Sequence, residues 1–345
     1  MQLTDFHHWL SARGALPVHR QRILRAWLAG RALDVGASRQ PAERFLPQSV
    51  RQALPGLQHA LQQLAQIDAR HEAVDGAARW LVRLADGQQV ESVLLPRDGV
   101  CVSTQVGCAV GCRFCMTGQA GLVRQLSSLE IVAQVVRVRQ QRAVKKVVFM
   151  GMGEPAHNLD AVLEAIDLLA SSGGLGHKNL VLSTVGDVRV FDALAQASRT
   201  IRPALALSLH TTRADLRAWL LPRAPRLTPQ TLIERAGAYA AAAGYPIQYQ
   251  WTLLAGVNEG DAEWIELARL LRGQYAVVNL IPFNRLEGLD GRVHPDFQRP
   301  SAERIAAIIA LLRSHGVLAK VRDSAGQAVE GGCGQLRARA QRLPL

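Results

Sequence analysis

The chain has 345 residues, 48% of them hydrophobic, and its 40 Lys and Arg outnumber its 28 Asp and Glu to give a formal charge of +12. That length allows one large domain, or a large and a small one, around a full hydrophobic core. No apolar run approaches the roughly 20 residues that cross a bilayer, and aromatics at 5% are too few for a platform that stacks many single-stranded bases.

In chain order, the opening MQLTDFHHWLSARG carries an Asp and two His and lacks the apolar centre of a signal peptide, so a cytoplasmic location is expected. Residues 1–66 read as a small helical, RNA-binding accessory domain. PVHRQRILRAWLAG and PQSVRQALPGLQHALQQLAQ are helical in pattern, and no strand of any length intervenes. A β-hairpin linker is expected over 67–97, where AARWLVRLADGQQVESVLLP alternates around the turn pair Asp86–Gly87.

Residues 98–322 form the core. GVCVST (99–104), KKVVFM (145–150), NLVLST (179–184), ALALSL (204–209), IQYQWTL (247–253) and AVVNLI (276–281) predict six short buried strands. Helical patterns lie between them. SSLEIVAQVVRVRQQ opens with Ser127 and Glu130 at capping-box spacing, and TPQTLIERAGAYAAAAG has Thr228 as N-cap, Pro229 at the first turn and Gly244 at its end. Six β-then-α units predict an α/β fold with a parallel barrel or an open sheet. Residues 323–345 are left as a C-terminal loop or tail.

Four of the five cysteines, Cys101, Cys108, Cys112 and Cys115, fall within fifteen residues, while Cys333 stands alone. An odd count cannot complete a disulfide framework within one chain, and in a reducing compartment clustered cysteines are more often metal ligands or redox groups. Cys108, Cys112 and Cys115 form a C-x3-C-x2-C pattern after the first core strand. A structural zinc needs four ligands, commonly from two knuckles, and no second knuckle exists here. Three thiolates from one tight loop suit three irons of a [4Fe–4S] cube, leaving the fourth open. Gly107 and Gly111 let the backbone wrap closely; zinc or inert thiols are the alternatives.

Other positions divide between bland and chemical readings. GMGEP (151–155) places Gly153 and Glu154 at a strand end, as a ligand contact or a helix-opening turn, and spacing leaves these even. Ser183, Ser208, His210 and Asn284 also end strands, where each alone is more often a cap or turn residue. Cys101, on a strand, reads first as core packing. Cys333, between Gly331, Gly332 and Gly334, reads as a thiol on a mobile loop, and Glu91 as the polar face of the hairpin. Arg137, Arg139, Arg142, Lys145 and Lys146, with Arg337, Arg339 and Arg342, read as a solvated face or, more sharply, as phosphate contacts.

The cysteine pattern after the first strand of a six-unit β/α barrel resembles the radical S-adenosylmethionine (SAM) superfamily. More narrowly, CVSTQVGC, MGMGEP, STVG, SLH, NLIPFN and the terminal CGQL resemble the RlmN/Cfr family of RNA methyltransferases, from about Glu91 to Leu336. The resemblance implies a partial (β/α)6 barrel with chemistry at the C-terminal strand ends. It implies a [4Fe–4S] cluster on Cys108, Cys112 and Cys115, and SAM, two per turnover, held by Gly153, Glu154, Ser183, Ser208, Leu209, His210 and Asn284. It further implies that Cys333 is methylated and then delivers its carbon, that Cys101 resolves the adduct through a disulfide with Cys333, and that Glu91 accepts a proton.

The implied reaction is methylation of an adenine carbon, C2 favoured over C8, in 23S rRNA at the peptidyl-transferase centre or in tRNA beside the anticodon. An electron donor such as flavodoxin, a thiol reductant and a monomeric chain off the membrane complete the expectation. VRQL (123–126) and GEPAHN depart from the family's R-N-L and GEPLLN, which bears on RNA specificity. Two rivals stand beside this: a radical SAM enzyme on another substrate, and a non-catalytic RNA-binding protein with a structural metal.

Overall fold

The computed structural model describes residues 1–34, 41–119, 121–196, 198–284, 297–322 and 326–338. Three helices come first: α1 (Leu3–Ser11), α2 (Pro17–Leu28) and α3 (Gln48–Gln63). In α3 the apolar residues Val50, Leu54, Leu57 and Leu61 recur every three or four positions, so one stripe is buried. No helix among the described residues is long and apolar enough to cross a membrane.

Three antiparallel strands follow, β1 (Gln66–Glu72), β2 (Ala78–Arg83) and β3 (Gln89–Leu95), with the expected turn at Asp86–Gly87. The linker is therefore a three-stranded meander, not a two-stranded hairpin. QIDARHE gives no strand signal because β1 is an edge strand with one face open to solvent. Nor is the meander a separate linker, since β3 pairs antiparallel with β4 (Gly99–Val102), placing Val93 opposite Cys101.

The core then runs β5 (Gln105–Gly107), α4 (Met116–Gln119), β6 (Leu122–Gln125), α5 (Ser128–Arg139), β7 (Lys146–Phe149), α6 (Leu159–Ser171), β8 (Leu180–Thr184), α7 (Val188–Ala195), β9 (Ala204–Ser208), α8 (Ala214–Leu220), α9 (Pro229–Ala243), β10 (Ile247–Leu253), α10 (Asp261–Leu270), β11 (Ala276–Pro282), α11 (Ala302–Ser314) and β12 (Ala319–Val321). All six expected strands are present as β4 and β7 to β11, parallel and in sequence order. A seventh parallel strand, β12, extends them and was too short to read from its three residues. The sheet is open, ending at β1 and β12, so the α/β fold is a partial barrel continued by the meander. The caps form as read: Ser127 with Glu130, Thr228 on Thr231, and Gly244 left-handed.

Three arginines of the basic run are engaged within the fold. Arg137 donates to the carbonyls of Ala65 and Gln62, Arg139 to Leu28 (2.7 Å) and Gly173 (2.9 Å), and Arg142 to Leu95 and Gly99. Lys145 pairs with Asp98. These side chains fasten the helical region and the meander to the barrel by filling helix-end and strand-end acceptors. Arg339 and Arg342 lie outside the described residues. Arg139→Met keeps the stem but removes both donors, and is expected to cost about 2 kcal/mol, read as a lowered urea midpoint. An unchanged midpoint would show the two contacts to be idle.

Candidate active site

The three-cysteine loop leaves β5, and its entry tolerates only glycine. Gly107 sits at φ +79°, and a Cβ there would lie 1.9 Å from the Gly121 carbonyl oxygen. The loop folds back on itself at Gly118, whose Cβ would meet the Gly111 backbone at 2.9 Å. From outside, α8 and the turn after it grip the loop. Arg113 N donates to Leu220 O (3.0 Å) and its Nε to Trp219 O (2.8 Å), while Arg223 reaches Ala109 O (2.9 Å).

Within the loop, backbone N–H groups of Val110 and Gly111 face the Cys108 sulfur, and those of Thr117 and Gly118 face Cys115. Burial raises all three thiols, Cys108 to about 12, and the neighbouring sulfurs raise one another further. Among the described residues no three metal-ligating side chains converge on one point, as ligands of a single ion must. Ligands to separate irons of a cube have no such requirement. Buried neighbouring thiols with N–H donors aimed at sulfur fit a group that binds thiolate, and bonding to iron removes the protons that burial favours.

Strand ends form the floor. Glu154, at the close of the turn after β7, is buried and accepts from Thr184 Oγ1 (2.6 Å), Val185 N (3.0 Å) and Ala156 N (3.1 Å). Desolvation lifts its carboxyl to about 7, the range in which a nearby ammonium restores the charge. Gly153 stands at φ +109°, with room for no Cβ against Thr104 and Gln105 (2.7 Å). Ser183 and Ser208 lie on β8 and β9. The Leu209 side chain is wholly buried, so only its backbone is available to a ligand.

His210 adopts φ +65°, rare for a side-chain-bearing residue and typical of functional strand ends. Its Nδ1 accepts from Thr252 N (2.9 Å), its ring packs on Phe114 at 4.8 Å, and burial lowers it to about 3, so it is neutral. It props up the cysteine loop through Phe114.

One contributor escaped the sequence reading. Arg217 on α8 is buried, donates to Val185 O and Ser208 O, and lies within electrostatic reach of Cys112 and Glu154. It ties the β8 and β9 ends together and sets a positive charge beside the cysteines. The only signal is that Arg217 lies one turn before Leu220 and one turn after Arg213 on a short helix, with Leu216 and Leu220 buried beside it.

The C-terminal tail closes the site from above. Met116 N donates to Gly334 O (2.7 Å), Thr117 Oγ1 to Leu336 O (2.7 Å), and Asn284 Nδ2 to Cys333 O (2.9 Å). Cys333 is exposed, yet close enough to Cys101 and Cys115 that charge on it raises both thiols. Cys101 is buried on β4 and lifted to about 12. All five cysteines are free thiols, so the disulfide implied by the resemblance is not formed in this state.

Glu91 is not on a solvated hairpin face. It is fully buried, ion-paired with Arg79, and its Oε2 accepts from Arg337 N (2.9 Å), so neither oxygen faces the mouth as a free base.

The radical SAM superfamily model matches residues 102–271, a span that runs from the end of β4 through α10 and contains the three-cysteine loop. A crystal structure of a radical SAM methyltransferase from Sphaerobacter thermophilus superposes with a TM-score of 0.82 at 36% identity, covering 98% of each chain. This chain belongs to the radical SAM superfamily. Relatives named probable RNA methyltransferase include one of Bordetella avium, 63% identical over 99% of this chain and 94% of its own length. Another, of Pseudomonas aeruginosa, is 60% identical over 99% of this chain and 96% of its own length. For a radical SAM protein, Cys108, Cys112 and Cys115 are the residues that would hold the cluster, and the β7 to β11 ends would take SAM.

Proposed function

We propose that this chain methylates an adenine carbon in RNA, C2 in preference to C8, in 23S rRNA or in tRNA beside the anticodon, with Cys333 as the carrier of the carbon. The observation that carries the reading is the docking of the Cys333 tail, on the cysteine loop through Gly334 and on the end of β11 through Asn284. A sulfur held there sits next to the place where the radical chemistry arises. The names of the close relatives support RNA as the substrate.

A cluster held by Cys108, Cys112 and Cys115 with SAM, fed by a donor such as flavodoxin, would supply the hydrogen-abstracting radical that turns the Cys333 methyl into a carbon able to add to an inert aromatic C–H position. The residues of this chain do the rest. Glu154 pairs with the ammonium of SAM, while Gly153, Ser183, Ser208, the Leu209 backbone, His210 and Asn284 line its remaining surface. Cys333 takes a methyl group from a first SAM and, as a thioether, presents it for hydrogen abstraction by a second. The carbon then bonds to an adenine that has left its stack.

Glu91, whose proton affinity burial raises, accepts the base proton once Arg337 has moved off it. Attack by Cys101 as a thiolate on the Cys333 sulfur forms an S–S bond as the carbon–sulfur bond breaks; the freed carbon takes up a proton, and the unpaired electron left by the radical addition would return to the cluster that gave one for SAM cleavage. A thiol reductant restores both cysteines.

The test is isotopic. With SAM carrying a CD3 group, mass spectrometry of digested RNA is expected to show two deuterium atoms in the product methyl, because the third leaves with the abstracting radical. Three retained deuterium atoms would mean direct displacement and end the proposal.

A further inference from the structure

The ion pair between Arg79 on β2 and Glu91 on β3 leaves both side chains with no exposed surface. Burying two opposite charges costs several kcal/mol per ion, and an apolar pair commonly stabilises as well, so the pair calls for a further reason. Its remaining bonds supply one. Arg79 Nε donates to Val329 O at 2.6 Å, and Glu91 Oε2 accepts from Arg337 N at 2.9 Å. Val329 and Arg337 each stand four residues from Cys333.

We infer that Arg79 and Glu91 form a clasp that grips both ends of the Cys333 loop and so positions its sulfur against the three-cysteine loop. The inference rests on Cys333 as the carbon carrier. Arg337 reinforces the neck through its own pair with Glu330 (2.5 Å), Gly331 N bonds Gly326 O (2.9 Å), and Gly326 N bonds Asp75 (3.0 Å). Gly331 must pack flat on the Arg79 stem, its Cβ position lying 3.4 Å from the Arg79 Cβ.

The neck is thus pinned to the meander, while the apex, with Gly334 left-handed at φ +85°, touches the barrel through Cys333 O, Gly334 O and Leu336 O. Such a loop pivots about a neck held by Arg79 and Glu91, which Arg337 leaves only for the proton step, and this keeps the sulfur near its partners and saves most of the ordering entropy of each encounter. Arg79 and Glu91 act here as positioning residues, through the backbone of the loop.

Hydrogen exchange read by mass spectrometry tests this on the full, cluster-loaded chain kept anaerobic. Arg79→Met with Glu91→Met removes both charges together, and Arg79→Lys is a milder variant that keeps the charge but loses the fork reaching Val329. Both are expected to raise exchange in peptides spanning 326–338, by about 10-fold for the double variant, with β7 and β8 peptides unchanged. In Arg79→Lys, SAM cleavage should continue while methylated RNA formed per cleavage falls; the double variant is read by exchange alone, because it also removes the proton acceptor.

Unchanged tail exchange, or a uniform rise in every peptide, would overturn the clasp. Cys333→Ser separates it from the reading it rests on. That variant is expected to keep tail protection and lose transfer; retained transfer would remove the carrier role, while the exchange data would still judge the clasp.

Discussion

Cys333→Ala, loaded with its cluster, is expected to form no methylated RNA while still cleaving SAM. The two activities separate because the tail meets the rest of the site through backbone oxygens, Cys333 O on Asn284 and Gly334 O on Met116, which the substitution leaves in place. Glu154, His210 and Arg217 are held by bonds among β7, β8, β9 and β10, and none of those bonds involves residue 333. The substitution also falls at an exposed side chain, while the loop is held by the backbone groups of Val329, Gly334 and Arg337, so the fold is expected to stand. Loss of a covalent carrier costs on the order of 10⁴-fold or more in rate. The measurements are labelled methyl in RNA and 5′-deoxyadenosine in the same tube. RNA methylation within tenfold of wild type would remove Cys333 from the chemistry.

Cys101→Ala is expected to behave differently: transfer to RNA proceeds but release fails. Cys101 lies on β4 between Val93 and Val148, near the tail sulfur, and no other cysteine on that strand can take over. A covalent protein–RNA species, visible as a shifted band after denaturing electrophoresis and sensitive to ribonuclease, should accumulate to about one per chain. Removing one buried sulfur costs about 1 kcal/mol in packing, too little to unfold a barrel of this size. Multiple turnover without any adduct would return Cys101 to the role of a packing residue.

The parts of the molecule that were legible beforehand are those where one local rule acts alone. The six core strands are short aliphatic runs buried on both faces, so periodicity finds them almost to the residue; Ile247–Leu253 is the clearest case. Ser127 and Thr228 announce their helices because a cap is a contact between near neighbours in sequence. The three-cysteine loop was readable for the same reason.

What escaped depends on distant partners. β1 is polar because one of its faces meets water, so nothing in QIDARHE marks a strand. Arg137, Arg139 and Arg142 look like a charged surface until the carbonyls of Leu28, Ala65 and Leu95, far off in the chain, are seen to receive them. Glu91 reads as the polar side of a hairpin because its partners, Arg79 and backbone N–H groups such as that of Arg337, 246 residues away, come together only in the fold. Arg217 went unread because a buried cation in an apolar stripe makes sense only once the cysteine loop is folded beneath it.

The antiparallel joint between β3 and β4 sets a limit on how the molecule can be divided. Cutting the chain just before the barrel would bare the backbone of the very strand that bears Cys101, leaving unpaired donors and acceptors along a flat apolar ribbon that invites other chains. The front third of the protein is thus no detachable reader bolted to an engine, but the wall that keeps the engine's first stave from sticking to its neighbours.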